Sequence, residues 1–210
     1  MGPPARSVRL AVTVATVLYT ALLLASGVQM PGPARKAVGF LPTVLGAGVV
    51  LFDVRLWRLR GVHRFVGRPR LDGTWLAEIV PREGSRVPDG VATGKVETVI
   101  VIEQTYWSVA VRQRAAHSRS WSTSAALRPE GDSKTSNVLA YTYRTEPDPD
   151  RRDVNPPQTG ACRLVATGRA PTEIAGVYWT DALTAGTVTA RLVSRATNTA
   201  TVEQAKTLSQ

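Results

Sequence analysis

The chain has 210 residues with 26 Lys and Arg against 16 Asp and Glu, a formal net charge of +10, one cysteine and two histidines. That length allows one ordinary domain with accessories but not two sizeable cores. A single Cys excludes an internal disulfide and a Cys-based zinc site, and His63 with His117 leaves little room for a His-ligated metal or a His-dependent triad. Residues 1–70 hold ten Lys/Arg and one acid, Asp53, whereas residues 71–195 hold fifteen against fourteen. The main domain lacks the surplus cations with which a protein docks on a nucleic-acid polymer, so that class is disfavoured.

From Leu10 to Ala34 no charged side chain occurs, and Leu10–Val28 supplies about twenty apolar or small residues. Roughly 20 helical residues at 1.5 Å each cross a hydrocarbon core about 30 Å thick. Pro31-Gly32-Pro33 predicts the end of that helix, because proline lacks an N–H and fixes its backbone angle. A second uncharged run, Ala37–Phe52, is short, but Arg55, Arg58 and Arg60 can snorkel and Trp57 suits an interface. Residues 1–57 therefore read as a transmembrane helical hairpin with spans at about 8–28 and 37–57, followed by a basic linker over 58–70. The alternative is a cleaved signal peptide over Met1–Gly27.

Arg6 and Arg9 precede the first span and six arginines from Arg55 to Arg70 follow the second, against Arg35 and Lys36 between them. Both termini are accordingly expected in the cytoplasm. The unpaired Cys162 agrees with a reducing compartment.

After Arg70 the pattern changes to short segments rich in Val, Ile, Thr, Tyr and Trp, separated by Gly, Pro and Asp clusters, which predicts antiparallel β-structure. Strands are expected at about 72–80, 92–104, 106–114, 117–127, 137–145, 160–167, 174–180 and 186–194. Eight strands joined mainly by short hairpins suggest an all-β, up-and-down barrel of the lipocalin or avidin kind over 71–195. A two-sheet sandwich is the alternative. The tail, 196–210, is small and polar and reads as disordered.

An eight-stranded barrel has room for its own side chains or one small ligand, so function turns on what faces inward. One phase of the alternation carries Trp75 and Ile79, Ile100 and Ile102, Trp107, Val109 and Val111. It continues with Leu139, Tyr141 and Tyr143, Cys162 and Leu164, Tyr178 and Thr180, Val188 and Leu192. The fourth strand is ambiguous: Ser118, Ser120, Ser122 and Ser124 form one face, and a bulge would flip the assignment. Such a phase can be plain core. Three tyrosines with Thr180 point further, because buried hydroxyls need partners and a lumen of aromatic faces with hydroxyl tips suits a planar, hydrogen-bonding ligand. Arg112, Arg119, Arg163 and Arg191 lie within strands and read as solvated, but a phosphate-bearing ligand would need one or two such cations. The candidate ligand-binding set is Trp75, Trp107, Arg112, Ser122, Ser124, Tyr141, Tyr143, Tyr178 and Thr180. No GxSxG, P-loop, HExxH or CxxC motif occurs, and the domain reads as a binder rather than an enzyme, with no metal or cofactor expected.

Two N-terminal spans, a basic linker and Leu71-Asp72-Gly73-Thr74-Trp75 opening a β-domain resemble one family. Similar stretches are Val101–Trp107, Ser118–Leu127, Leu139-Ala140-Tyr141-Thr142-Tyr143, Gly160–Leu164, and Ile174–Thr180 leading to Gly186. The chain resembles the CD-NTase-associated protein 15 family, membrane effectors of bacterial cyclic-oligonucleotide anti-phage signalling (CBASS), over about residues 8–194. The resemblance implies a cytoplasmic barrel that binds a cyclic dinucleotide made by a partner cGAS/DncV-like nucleotidyltransferase. It also implies a multi-pass protein of the bacterial inner membrane, in which ligand binding drives oligomerisation and membrane disruption. Two other classes stay open, a membrane-tethered lipocalin-like carrier of an apolar ligand and a non-binding envelope scaffold.

Overall fold

The computed structural model describes residues 4–25, 32–85, 94–133, 135–198 and 201–208. The chain divides into two compact units, residues 1–67 with 105–108, and residues 68–104 with 109–210.

The first unit is helical. Helix α1 spans Pro4–Ala25 and α2 spans Gly32–Val54, followed by a 3-10 turn at Leu56–Arg58 and the short α3, Arg60–Val66. Residues 26–28, expected in the first span, lie outside the described residues. Helix α2 starts five residues before the expected second span, because Gly32 and Pro33 sit in its first turn, where proline's missing N–H costs nothing. Arg35 and Lys36 thus belong to α2, and the expected linker is partly helical in α3. The hydroxyls of Thr16 and Thr20 donate to the carbonyls of Val12 and Thr16, so neither polar group interrupts α1. Among the described residues no helix is long and apolar enough to cross a membrane, so the structure does not carry the transmembrane part of the expectation. Asp53 and Trp57 are fully buried in this unit. The Trp107 N–H donates to Asp53 Oδ1 at 3.1 Å, the Tyr106 N–H donates to the Asp53 carbonyl, and the Tyr106 ring meets Phe52 edge-on at 5.0 Å.

The second unit is a closed antiparallel barrel in sequential order, β1 Gly73–Pro81, β2 Val96–Gln104, β3 Val109–Ala115, β4 Ser118–Pro129, β5 Ser136–Pro147, β6 Gln158–Thr167, β7 Glu173–Thr180 and β8 Ala185–Ser194. Pairing of β1 with β8 closes it, which removes every sheet edge and rules out the two-sheet sandwich. Strand β3 begins at Val109 instead of 106, since Thr105–Ser108 form the turn in which the Thr105 N–H donates to the Ser108 carbonyl. Of the expected start of β2, 92–93 lie outside the described residues and 94–95 precede the strand.

Inward alternation builds the core. Leu71, Trp75, Ile100, Ile102, Leu139 and Leu164 are fully buried at the end where the chain enters. That end is plugged: the Trp75 Nε1–H donates to the Leu71 carbonyl at 3.0 Å, and Gln104 accepts the Leu71 N–H while donating to the Pro69 carbonyl. Gly73 permits the closure, because its φ of 140° suits glycine and a Cβ there would overlap the Ser194 carbonyl oxygen. Residues 202–208, expected as part of a disordered tail, instead form α4, Val202–Leu208. Val202 and Ala205, three residues apart and so on one helical face, pack on Val99 and Val101 of the outer face of β2.

Candidate functional site

At the opposite end the barrel stays open. A cavity of about 170 Å³ descends from the strand ends, walled by Gln113, Ser118 and Ser120, by Tyr141, Tyr143 and Thr145, by Asn155 and Gln158, and by Tyr178, Thr180 and Thr184, with Cys162 among its lining residues. Strand parity puts Tyr141 and Tyr143 on one inward row of β5, their ring centroids 5.9 Å apart. Across the ladder Tyr141 faces Cys162, which in turn faces Tyr178. Hydroxyls and amides in the wall are already oriented: Ser120 and Thr145 share a hydrogen bond of 2.8 Å, and Gln158 Nε2 donates to Asn155 Oδ1 at 2.6 Å. Thr180 accepts the Thr184 N–H, and the Asp181 carboxylate accepts the Thr159 N–H at 3.0 Å, tying the last strand turn to β6.

Among the described residues the lining side chains carry no charge. Burial holds the Tyr141, Tyr143 and Tyr178 hydroxyls well into the neutral form, with the neighbouring Cys162 adding to the effect at Tyr141 and Tyr143. Burial also pushes the Cys162 thiol up to about 11, against a hydrogen bond with Tyr141 that works the other way. The mouth is therefore a neutral, aromatic recess with donors and acceptors at fixed places, suited to a planar heterocycle. Among the described residues no group of three or more His, Cys, Asp or Glu could hold a metal ion.

Residues 66–191, more than half of the chain, match the family described as Cap15, cyclic dinucleotide receptor domain. The chain belongs to this family. No curated protein matches the chain. The Cap15 receptor region contains every described residue that lines the mouth, so the open end of the barrel lies within a cyclic dinucleotide receptor domain.

Of the nine candidates from sequence, the structure brings Tyr141, Tyr143, Tyr178 and Thr180 together around the mouth. The other five sit elsewhere. Trp75 belongs to the plug at the closed end. Trp107 lies in the β2–β3 turn, which belongs to the helical unit and extends no inward row. Arg112 is on the outer face, paired with Glu103. Ser122 accepts the Val111 N–H at 2.9 Å, where the β3–β4 ladder has ended. A register shift between Ser122 and Ser124 turns Ser124 out to solvent and Ala125 and Leu127 inward, the bulge that the serine alternation concealed. Sequence reading missed Gln113, Thr145, Asn155, Gln158 and Thr184 as wall residues. Gln113 continues the inward row of Val109 and Val111 and was legible there. Asn155 comes from a long loop where no period speaks, whereas Gln158 extends the inward row of Cys162 and Leu164 ahead of the expected strand start at 160.

Proposed function

We propose that the protein is a membrane-anchored cyclic dinucleotide sensor of anti-phage signalling with no enzymatic activity of its own. The observation that carries this reading is the open, neutral, aromatic mouth within a receptor domain of the Cap15 family. A base stacks on tyrosine faces while hydroxyls and amides meet its edge. A carrier of an apolar ligand fits less well, because Gln113 and the amide groups that Asn155 and Gln158 do not spend on each other would lose water without gaining partners.

The helical unit is the anchor in this reading. Its support is the uncharged run over residues 10–34 and the exposure of Leu10, Val14, Leu18, Leu22, Phe40 and Val44. Apolar surface of this kind is a liability in water and is what acyl chains cover. The Lys/Arg bias puts both termini in the cytoplasm of a bacterial inner membrane. A partner cGAS/DncV-like nucleotidyltransferase makes the messenger, and binding drives self-association and membrane disruption that kills the infected cell. The ligand must then favour the assembling state over the resting one, by about 10⁴-fold if it is to carry the population from 1:99 to 99:1.

Producing the full chain in cells with and without such a nucleotidyltransferase, and following uptake of a membrane-impermeant dye, tests the reading. Uptake is expected only with both present. Uptake without the enzyme, or none with it, contradicts the mechanism.

A further inference from the structure

The mouth is too small and too neutral to hold a whole cyclic dinucleotide. Its volume is about 170 Å³ and, among the described residues, its lining carries no cation. A cavity of about 150 Å³ takes one benzene-sized ring, whereas sites for whole drug-sized ligands run to roughly 300–1,000 Å³. Two bases, two riboses and two phosphodiesters cannot all enter. A phosphate inside would be a buried charge without a partner.

Directly outside, a second recess of about 760 Å³ lies between the strand ends and α4, and it shares Val96, Ala115 and Ser118 with the mouth. Its wall includes Arg114, Arg119 and Arg152. Arg114 of β3 and Arg119 of β4 stand directly opposite each other and are both exposed. Like charges so placed repel, unless an anion lies between them. Arg119 is 3.1 Å from Glu146 of β5, and the recess also holds Glu97, Asp148 and Glu203. Glu97 is engaged by Lys206, whereas Arg114 and Arg152 make no ion pair with a described residue.

We infer that this outer recess is the phosphate subsite, with one base of the ligand in the tyrosine-lined mouth and the phosphodiesters over the β3–β4 lip on Arg114, Arg119 and Arg152. Guanidinium groups pair with phosphate oxygens two at a time, which makes three arginines sufficient for both phosphodiesters. The ligand straddles Ala115 and Ser118, half inside and half outside the barrel. This assignment rests on the receptor reading and adds to it which cations the anion meets.

The full chain in detergent is titrated calorimetrically with a panel of cyclic dinucleotides, purine and mixed purine–pyrimidine, at two salt concentrations. Wild type is compared with Arg114→Ala/Arg152→Ala, with Arg114→Lys/Arg152→Lys, and with Arg163→Ala, whose arginine pairs with Glu130 and lines neither recess. The alanine pair is expected to bind at least tenfold more weakly and with a flatter salt dependence. The lysine pair should recover part of the loss, and Arg163→Ala should match wild type. Wild-type affinity and salt dependence in the alanine pair would overturn the phosphate subsite and leave the receptor reading standing. Failure of wild type to bind any member of the panel would overturn the receptor reading, and the subsite with it.

Discussion

Tyr143 of β5 stands directly across from Gly160 of β6, and its side chain fills the space that a side chain at 160 would need. A Cβ at 160 would lie 2.6 Å from the Tyr143 hydroxyl oxygen and 2.7 Å from the Trp179 carbonyl oxygen. The arrangement recurs at β7–β8, where Tyr178 faces Gly186 and a Cβ would lie 2.8 Å from its ring. Two glycines thus seat two tyrosines of the mouth, an aromatic ring folding over its cross-strand glycine.

Gly160→Ala should therefore push the Tyr143 ring toward the opening. Overpacking of this kind costs about 1–3 kcal/mol of stability, since the Trp179 carbonyl is backbone and cannot swing aside. Denaturant unfolding should show that loss together with at least tenfold weaker ligand binding. An alanine variant with wild-type stability and affinity would mean that the ring does not occupy the space assigned to it.

Tyr143→Phe separates stacking from hydrogen bonding. The ring and its glycine seat remain, and only the hydroxyl is lost. A neutral hydrogen bond is worth about 0.5–1.5 kcal/mol net, so affinity should fall roughly two- to tenfold with an unchanged thermal midpoint. Calorimetric titration of the variant reads this directly, and an unaltered isotherm would remove Tyr143 from the base contacts.

Cys162 reports whether the lumen is dry. Its thiol is shifted from 9.0 to about 11 by burial. The folded value lies above the unfolded one, so the stabilisation linked to it is whole below about pH 9 and is lost as pH rises toward 11. At pH 8 alkylation by iodoacetamide should be about a hundredfold slower in the native chain than in the urea-unfolded chain. Equal rates would show that solvent reaches the cavity floor.

Among the described residues, the lining of the mouth runs from Ile79 to Val188, and residues 1–57 lie outside that stretch of sequence. A chain lacking them is expected to bind ligand with the affinity of the full chain, to leave the membrane fraction and to lose toxicity. Fractionation, titration and viability counts check the three outcomes. Killing by the shortened chain would remove the membrane mechanism.

The barrel was legible because turn-separated β-rich segments alternate with a period of two, as Leu139, Tyr141 and Tyr143 do on β5. The fourth strand was not, because serine alternation carries no hydrophobic contrast and the shift at Ser122/Ser124 leaves no mark in composition. Helix α4 was hidden for a different reason. Its burial depends on Val99 and Val101, outward residues of β2 that look like ordinary strand formers until a partner covers them. The mouth was half visible: parity gave its tyrosines and, with β6 begun two residues earlier, would have given Gln158, whereas Asn155 arrives from a loop through tertiary closure. Arg112 was the natural strand cation to choose, yet Glu103 across the ladder neutralises it, and the arginines that line the recess beside the opening are Arg114, Arg119 and Arg152.

Calorimetric titration of the full chain and of Tyr178→Ala with the cyclic dinucleotide panel tests the receptor mouth most directly. Saturable binding of at least one member by wild type, weakened at least tenfold in the variant while the variant stays folded, is the predicted result. Undiminished binding by folded Tyr178→Ala, or heats no greater than dilution for wild type across the whole panel, would contradict it.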